Sequence, residues 1–141
     1  MKVVNKKAHF NYEVAEVIEV GINLSGAEAK SASLGQVSLD EAHVKLVGGE
    51  AWVVNMHIYP YKYADNDKYE PARSRKLLLH KKQLIALQSK MKQSRLVLIP
   101  TAMYSRGPRI KLEIGLARGK KMYEKREAIK KRDLEREEGV T

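Results

Sequence analysis

A chain of 141 residues with 27 Lys and Arg against 17 Asp and Glu carries a net charge of +10, a size for one domain with an appendage and a field that favours a polyanion as partner. It contains no cysteine, which excludes disulfides, thiolate metal sites and a cysteine nucleophile and is compatible with the cytoplasm. The amino-terminal MKVVNKKAHF lacks the apolar run of a signal peptide and no stretch of about 18 apolar residues occurs, so no membrane association is expected.

From Asn11 to Ser25 the apolar residues Tyr12, Val14, Val17, Ile18, Val20, Ile22 and Leu24 recur about every second position. That period predicts a long bent strand, and the slip at Val17 and Ile18 suggests a bulge there. The Ala-, Glu- and Lys-rich stretch between Gly26 and Gly35 predicts a short helix ending near Gly35. From Ala42 to Ile58, two β-rich runs separated by Gly48 and Gly49 predict a hairpin, because paired glycines accept the positive φ of a tight turn. The polar, tyrosine-bearing segment YPYKYADNDKYEPARSR reads as a long functional loop.

The following LLLHKKQLIALQSKMK places Leu84, Leu87 and Met91 at helical spacing, with Lys81, Lys82, Lys90 and Lys92 left for solvent. A second hairpin is expected from RLVLIPTAMY and RIKLEIGLAR around the turn SRGPR, with Ile110, Leu112, Ile114 and Leu116 inward. Pro100 places its strand at an edge or at a bulge. The fold expectation is therefore mainly β: a small antiparallel barrel of the oligonucleotide-binding type over residues 1–117, with about six strands and two to three helices. A ferredoxin-like sandwich is the rival, disfavoured because two hairpins leave little room for crossing helices.

Beyond Ala117 the composition changes. Between Arg118 and Glu138 lie nine Lys or Arg and six Asp or Glu, with too few apolar residues to fold alone, so residues 118–141 are expected to form a basic tail, disordered in isolation. A generic run of this kind is a solvated appendage. Here Arg118, Lys121, Lys125, Arg132 and Arg136 recur on one helical face, a stripe that a phosphate-lined groove could order.

Catalytic motifs are not found. His9, His43, His57 and His80 are scattered without metal-ligand spacing, and no phosphate-binding loop occurs. Asp65, Asp67 and Glu70 could be imagined around a magnesium ion, but Lys62, Lys68, Arg73 and Arg75 flank them, and acids in a basic loop more often balance charge. No cofactor is expected. Residues 62–92 carry nine Lys or Arg against three acids, and Tyr59, Tyr61, Tyr63 and Tyr69 lie in or beside that stretch, which offers cations for phosphates and flat faces for bases. The same tyrosines could instead cap the core.

Taken together, NKKA (5–8), EVGINLSGAEAKS (19–31), GE and NMHIYPY (49–61), PARSRKLLLHK (71–81) and RGKKMYEKRE (118–127) resemble the SmpB family, in order and spacing over roughly residues 5–137. The resemblance implies a non-enzymatic adaptor whose barrel binds the tRNA-like domain of transfer-messenger RNA (tmRNA) and carries it to stalled ribosomes. It places RNA contacts on Asn5, Glu19 and Leu78, with Lys30, Arg75 and Lys76 as neighbouring candidates. It sends the tail into the messenger channel at the decoding centre of the small subunit, through Arg118, Lys120, Lys121, Tyr123, Lys125, Arg126, Lys130 and Arg132. A monomer is expected. A metal-dependent RNA-processing nuclease and a structural ribosomal protein are the alternatives. The sequence departs from the family pattern where Glu124 stands in place of an aspartate, where EVGI (19–22) and EAKS (28–31) replace the usual EAGI and EVKS, and where it ends in EEGVT while the family usually continues with a basic helical segment.

Overall fold

The computed structural model of the chain describes residues 1–120. The described residues form nine strands and three helices in the order β1 (Lys2–Val4), α1 (Lys6–Asn11), β2 (Tyr12–Ile22), α2 (Gly26–Ser33), β3 (Val37–Ser38), β4 (His43–Val47), β5 (Glu50–Val54), β6 (His57–Ile58), β7 (Arg75–Leu78), α3 (Lys81–Ser94), β8 (Val97–Arg106) and β9 (Arg109–Gly119).

Antiparallel pairings run β8–β4–β5–β7–β2–β9, and β9 pairs back onto β8, so six strands close into a ring. Closure satisfies the edge groups that an open sheet would leave unpaired. Strand β1 adds to the outside of β8, and β3 with β6 forms a separate two-stranded ribbon. The inward residues supply the core, including Val20, Val53, Leu77, Leu98, Met103, Leu112, Ile114 and Leu116, all at 3% exposure or less.

Local chemistry accounts for the ends and bends. Gly48 and Gly49 have φ of 59° and 76°, and the β4–β5 hairpin turns on them as the sequence expects. Helix α2 starts at Ser25, whose hydroxyl accepts from the Glu28 amide while the Glu28 carboxylate accepts from the Ser25 amide, a reciprocal cap. Helix α3 lays Leu84, Leu87 and Met91 onto the core beside the β4–β5 hairpin. The β8 register shifts between Pro100 and Ala102, the bulge that proline demands.

Some elements differ from the expectation. The bulge in β2 lies between Val14 and Glu16, not at Val17 and Ile18, and Val17 simply faces outward at 48% exposure. Arg75 from the end of the expected loop and Leu77 and Leu78 from the start of the expected helix instead form β7 with Lys76, and β7 pairs with β5 on one side and β2 on the other. Strand β9 continues through Arg118 and Gly119, which pair with Glu13 and Tyr12, two residues past the expected start of the tail. The short elements β1, α1 and β3 were not expected, and His57–Ile58, expected at the end of the second hairpin strand, form the separate strand β6.

Candidate nucleic-acid interface

One wall of the barrel, made by β7, β2, β9 and β8, gathers the outward side chains with recognition chemistry. Leu78 is opposite Gly21, Gly21 is opposite Lys111, and Lys111 is opposite Tyr104, so these residues follow one another across four strands. Leu78 is 58% exposed. It lies over Gly21, where an added Cβ would come within 3.1 Å of the leucine Cδ1, so the absent side chain is what lets Leu78 lie flat. Beside the pair runs a shallow groove of about 280 Å³ lined by Gly21, Leu78, Ala29, Arg109 and Lys111.

Glu19, one step along β2, is the polar centre of this wall. Its Oε2 accepts from the Tyr104 hydroxyl at 2.5 Å and from Arg106 Nη1 at 2.7 Å. The Tyr104 hydrogen bond and then that of Arg106 hold the Glu19 carboxyl below the usual carboxylate range. Burial, followed by the Glu19 hydrogen bond, pushes Tyr104 up to about 12, so it remains a phenol donor at neutral pH. Both bonds converge on one oxygen. Among the described residues Oε1 has no partner and stays open to a base or ribose donor, while Arg106, Arg109 and Lys111 beside it suit phosphate.

Two more expected RNA contacts fall near this wall. Lys76 points outward on β7 and pairs with Glu50 at 3.2 Å. Lys30 is exposed on α2, next to the groove residue Ala29, with its ammonium 5.6 Å from the Tyr61 ring centroid.

Asn5 and Arg75, also expected at the RNA, are both buried and hydrogen-bonded inside the fold. Asn5 is 2% exposed. Its Oδ1 caps α1 by accepting from the Ala8 amide at 3.0 Å, and its Nδ2 donates to the carbonyls of Leu39 at 3.1 Å and Pro100 at 2.8 Å. It thus satisfies a carbonyl at the β8 bulge, and its own amide donates to Thr101 in the same bulge. Arg75 has no exposed surface. Its guanidinium bonds Glu28 Oε2 at 2.7 Å, the Met56 carbonyl at 2.8 Å, the Pro71 carbonyl at 2.9 Å, the Arg73 carbonyl at 3.1 Å and the Tyr69 hydroxyl at 3.2 Å. Arg73 also grips Glu28. Burial alone would raise the Glu28 carboxyl, but hydrogen bonds from Arg73, the Ser25 amide and Arg75 outweigh it and lower the carboxyl to about 2. The cluster is a strut that ties α2 to the long loop and to β7.

Of the expected tail residues, Arg118 lies in β9 and bonds Glu13, and Lys120 donates from its amide to the Asn11 carbonyl at 2.9 Å and from Nζ to the His9 carbonyl at 3.1 Å. Lys121, Tyr123, Lys125, Arg126, Lys130 and Arg132 lie outside the described residues. In the loop, Asp65 Oδ1 accepts from the Asp67 amide. Among the described residues no three carboxylates or imidazoles gather as a metal ion would require, and no helix is long and apolar enough to cross a membrane. The sequence reading missed Tyr104, Arg106, Arg109 and Lys111. The alternation of RIKLEIGLAR marked Lys111 as outward, but only the β2–β9–β8 register brings it near Glu19.

The model of the SmpB protein family matches residues 2–140. The chain belongs to the SmpB family. It is similar to the SsrA-binding protein of Chlorobaculum tepidum, 50% identical over 135 residues that cover 94% of this chain and 85% of the relative. The SsrA-binding protein of Persephonella marina is 48% identical over 133 residues, covering 94% and 88%. Among solved structures, a chain described under the words "tmRNA-SmpB: a journey to the center of the bacterial ribosome" superposes with a TM-score of 0.71 at 38% identity, covering 86% of this chain and 85% of that one. The motifs around Glu19, Leu78 and Arg118 therefore belong to a relationship that spans nearly the whole sequence.

Proposed function

We propose that this SmpB-family chain is a non-enzymatic cytoplasmic adaptor that binds the tRNA-like domain of tmRNA and delivers it to stalled ribosomes for trans-translation. The observation that carries the reading is the outer barrel wall: a Glu19 carboxylate oxygen open among the described residues, an exposed Leu78 lying over a glycine, and Arg106, Arg109 and Lys111 around them. Such a wall combines a specific acceptor and an apolar contact with phosphate-neutralising cations, the mixture that folded RNA requires. The names borne by the similar proteins, SsrA-binding protein and tmRNA-SmpB, point to the same RNA and to the ribosome.

In this reading Glu19, Leu78, Lys30 and Lys76 touch RNA, whereas Asn5 and Arg75 act by holding the barrel and loop in shape. The tail, from Lys120 and Lys121 through Tyr123, Lys125, Arg126, Lys130 and Arg132, engages the small-subunit RNA at the decoding centre and messenger channel. Peptidyl transfer stays with the ribosome.

The test is a truncation after Lys120, which spares β9 and its last anchors to α1. The truncated protein retains its affinity for the tRNA-like domain within about threefold and loses tagging of stalled peptides in a translation assay. If affinity collapses with the tail, or if tagging survives without it, the division between wall and tail is wrong. Recovery from cells of ribosomal RNA alone, with no tmRNA, would instead favour a structural ribosomal protein.

A further inference from the structure

The long loop divides its tyrosines in two. Tyr69 is structural: its hydroxyl donates to the Ile58 carbonyl at 2.8 Å and it touches the Glu28–Arg75 strut. Tyr61 and Tyr63 are different. Their rings meet edge to face with centroids 5.6 Å apart, Tyr63 is 78% exposed, and among the described residues neither hydroxyl has a hydrogen-bond partner. Two ammonium groups accompany the rings, Lys30 5.6 Å from the Tyr61 centroid and Lys62 5.6 Å from that of Tyr63, and neither lysine forms an ion pair among the described residues.

The backbone beneath these free side chains is firmly held. The Tyr61 carbonyl accepts from Asn66 Nδ2 at 2.9 Å and from the Ala64 amide at 3.1 Å. The Tyr59 carbonyl accepts from the Ser31 hydroxyl at 2.6 Å, and the Tyr59 amide donates to the Gln36 carbonyl at 3.0 Å. Pinned backbone carrying rings that only each other and two lysines accompany is a preorganised stacking surface, since the ordering entropy of the segment is already spent in folding. Core packing does not account for a tyrosine as exposed as Tyr63.

Helix α2 makes this surface continuous with the wall around Glu19: Ala29 lines the Leu78 groove, and the next residue, Lys30, stands over Tyr61. We infer that Tyr61 and Tyr63, with Lys30 and Lys62, form a second RNA subsite that stacks an unpaired base while the two lysines hold its flanking phosphates. The inference rests on the RNA-binding reading above and extends its footprint across α2. Asp65 and Asp67, both exposed further along the loop, repel phosphate and confine the strand to the Lys30 side.

The experiment measures the affinity of the full chain for the tRNA-like domain across a salt series. The Tyr61→Ala/Tyr63→Ala pair weakens binding about tenfold or more with an unchanged salt slope, and Tyr61→Phe/Tyr63→Phe restores it, because stacking needs the ring and not the hydroxyl. Lys62→Ala lowers the salt slope by about one. Equal affinity for wild type and the alanine pair, with wild type binding well, overturns the subsite and leaves the function proposal standing. No binding by wild type sinks the function proposal itself. Loss of affinity in the phenylalanine pair as well would show that hydroxyl contacts, not stacking, operate there, and would also overturn the inference.

Discussion

The molecule uses the same chemistry twice, a glutamate gripped by arginine and tyrosine, and the two sites do opposite things. Glu28 and Arg75 are sealed inside, with Arg73 and Tyr69 half-buried beside them, and every donor of the Arg75 guanidinium has a carbonyl, carboxylate or hydroxyl to meet. Glu19 with Tyr104 and Arg106 stands on the outer wall, its Arg106 side chain 71% exposed and one carboxylate oxygen open among the described residues. Burial makes the first set a strut, because a charge removed from water must be fully paired. Exposure makes the second exchangeable, because Arg106 can turn from Glu19 to a phosphate at little cost.

That contrast can be broken or sharpened by mutation. The largest effect belongs to Arg75→Met, which removes the fully buried cation paired with Glu28 and leaves the Met56 and Pro71 carbonyls without their donors: urea unfolding loses about 3–5 kcal/mol, and RNA affinity measured below the unfolding transition falls less than stability does. If Arg75→Met unfolds like wild type, the strut is not structural. Next comes pH. Because the Glu28 carboxyl falls from 4.5 unfolded to about 2 folded, its contribution is complete above pH 4.5 and is lost as the pH drops towards 2, a change of about 3 kcal/mol. Acid titration of the urea midpoint should show this loss in wild type and a flatter profile in Glu28→Gln.

The outer site reverses the ranking. Glu19→Gln leaves the unfolding midpoint where it was and weakens binding of the tRNA-like domain about tenfold or more, since an amide oxygen is a poorer acceptor and its amino group can face a donor. A shifted midpoint with intact binding would assign Glu19 to the fold. Smallest is Lys76→Ala. It removes one exposed ion pair with Glu50, changes stability by no more than about 0.5 kcal/mol, and reduces the salt slope of RNA binding by about one.

Sequence periodicity carried the hairpins, α2 and the β8 bulge because each has a local cause: two adjacent glycines, a serine cap with glutamate three residues on, a proline inside a strand. Strand β7 was hidden for the opposite reason. Its residues RKLL run straight into the apolar pattern of α3, and what makes them extended is pairing with β5 and β2, more than twenty residues away in the first case and over fifty in the second. The same limit applied to the site. Glu19 and Leu78 were named through the family resemblance, yet Asn5 and Arg75 in the same motifs proved to be internal brackets, since burial depends on the register of distant strands. Tyr104 and Arg106 gave no local signal and become meaningful only opposite Glu19.

The ring of strands is unevenly sewn. Strands β8 and β9 share nine register pairs, whereas β4 meets β8 through the single pair Val44 and Leu98. Thermal opening of the barrel should therefore start at that junction, and the Val44 amide should exchange its hydrogen for deuterium well before those of Leu112 and Ile114, without global unfolding. The Glu19 wall is built on β2 and the long β8–β9 ladder, away from this junction, so breathing at the seam leaves the RNA-facing geometry undisturbed.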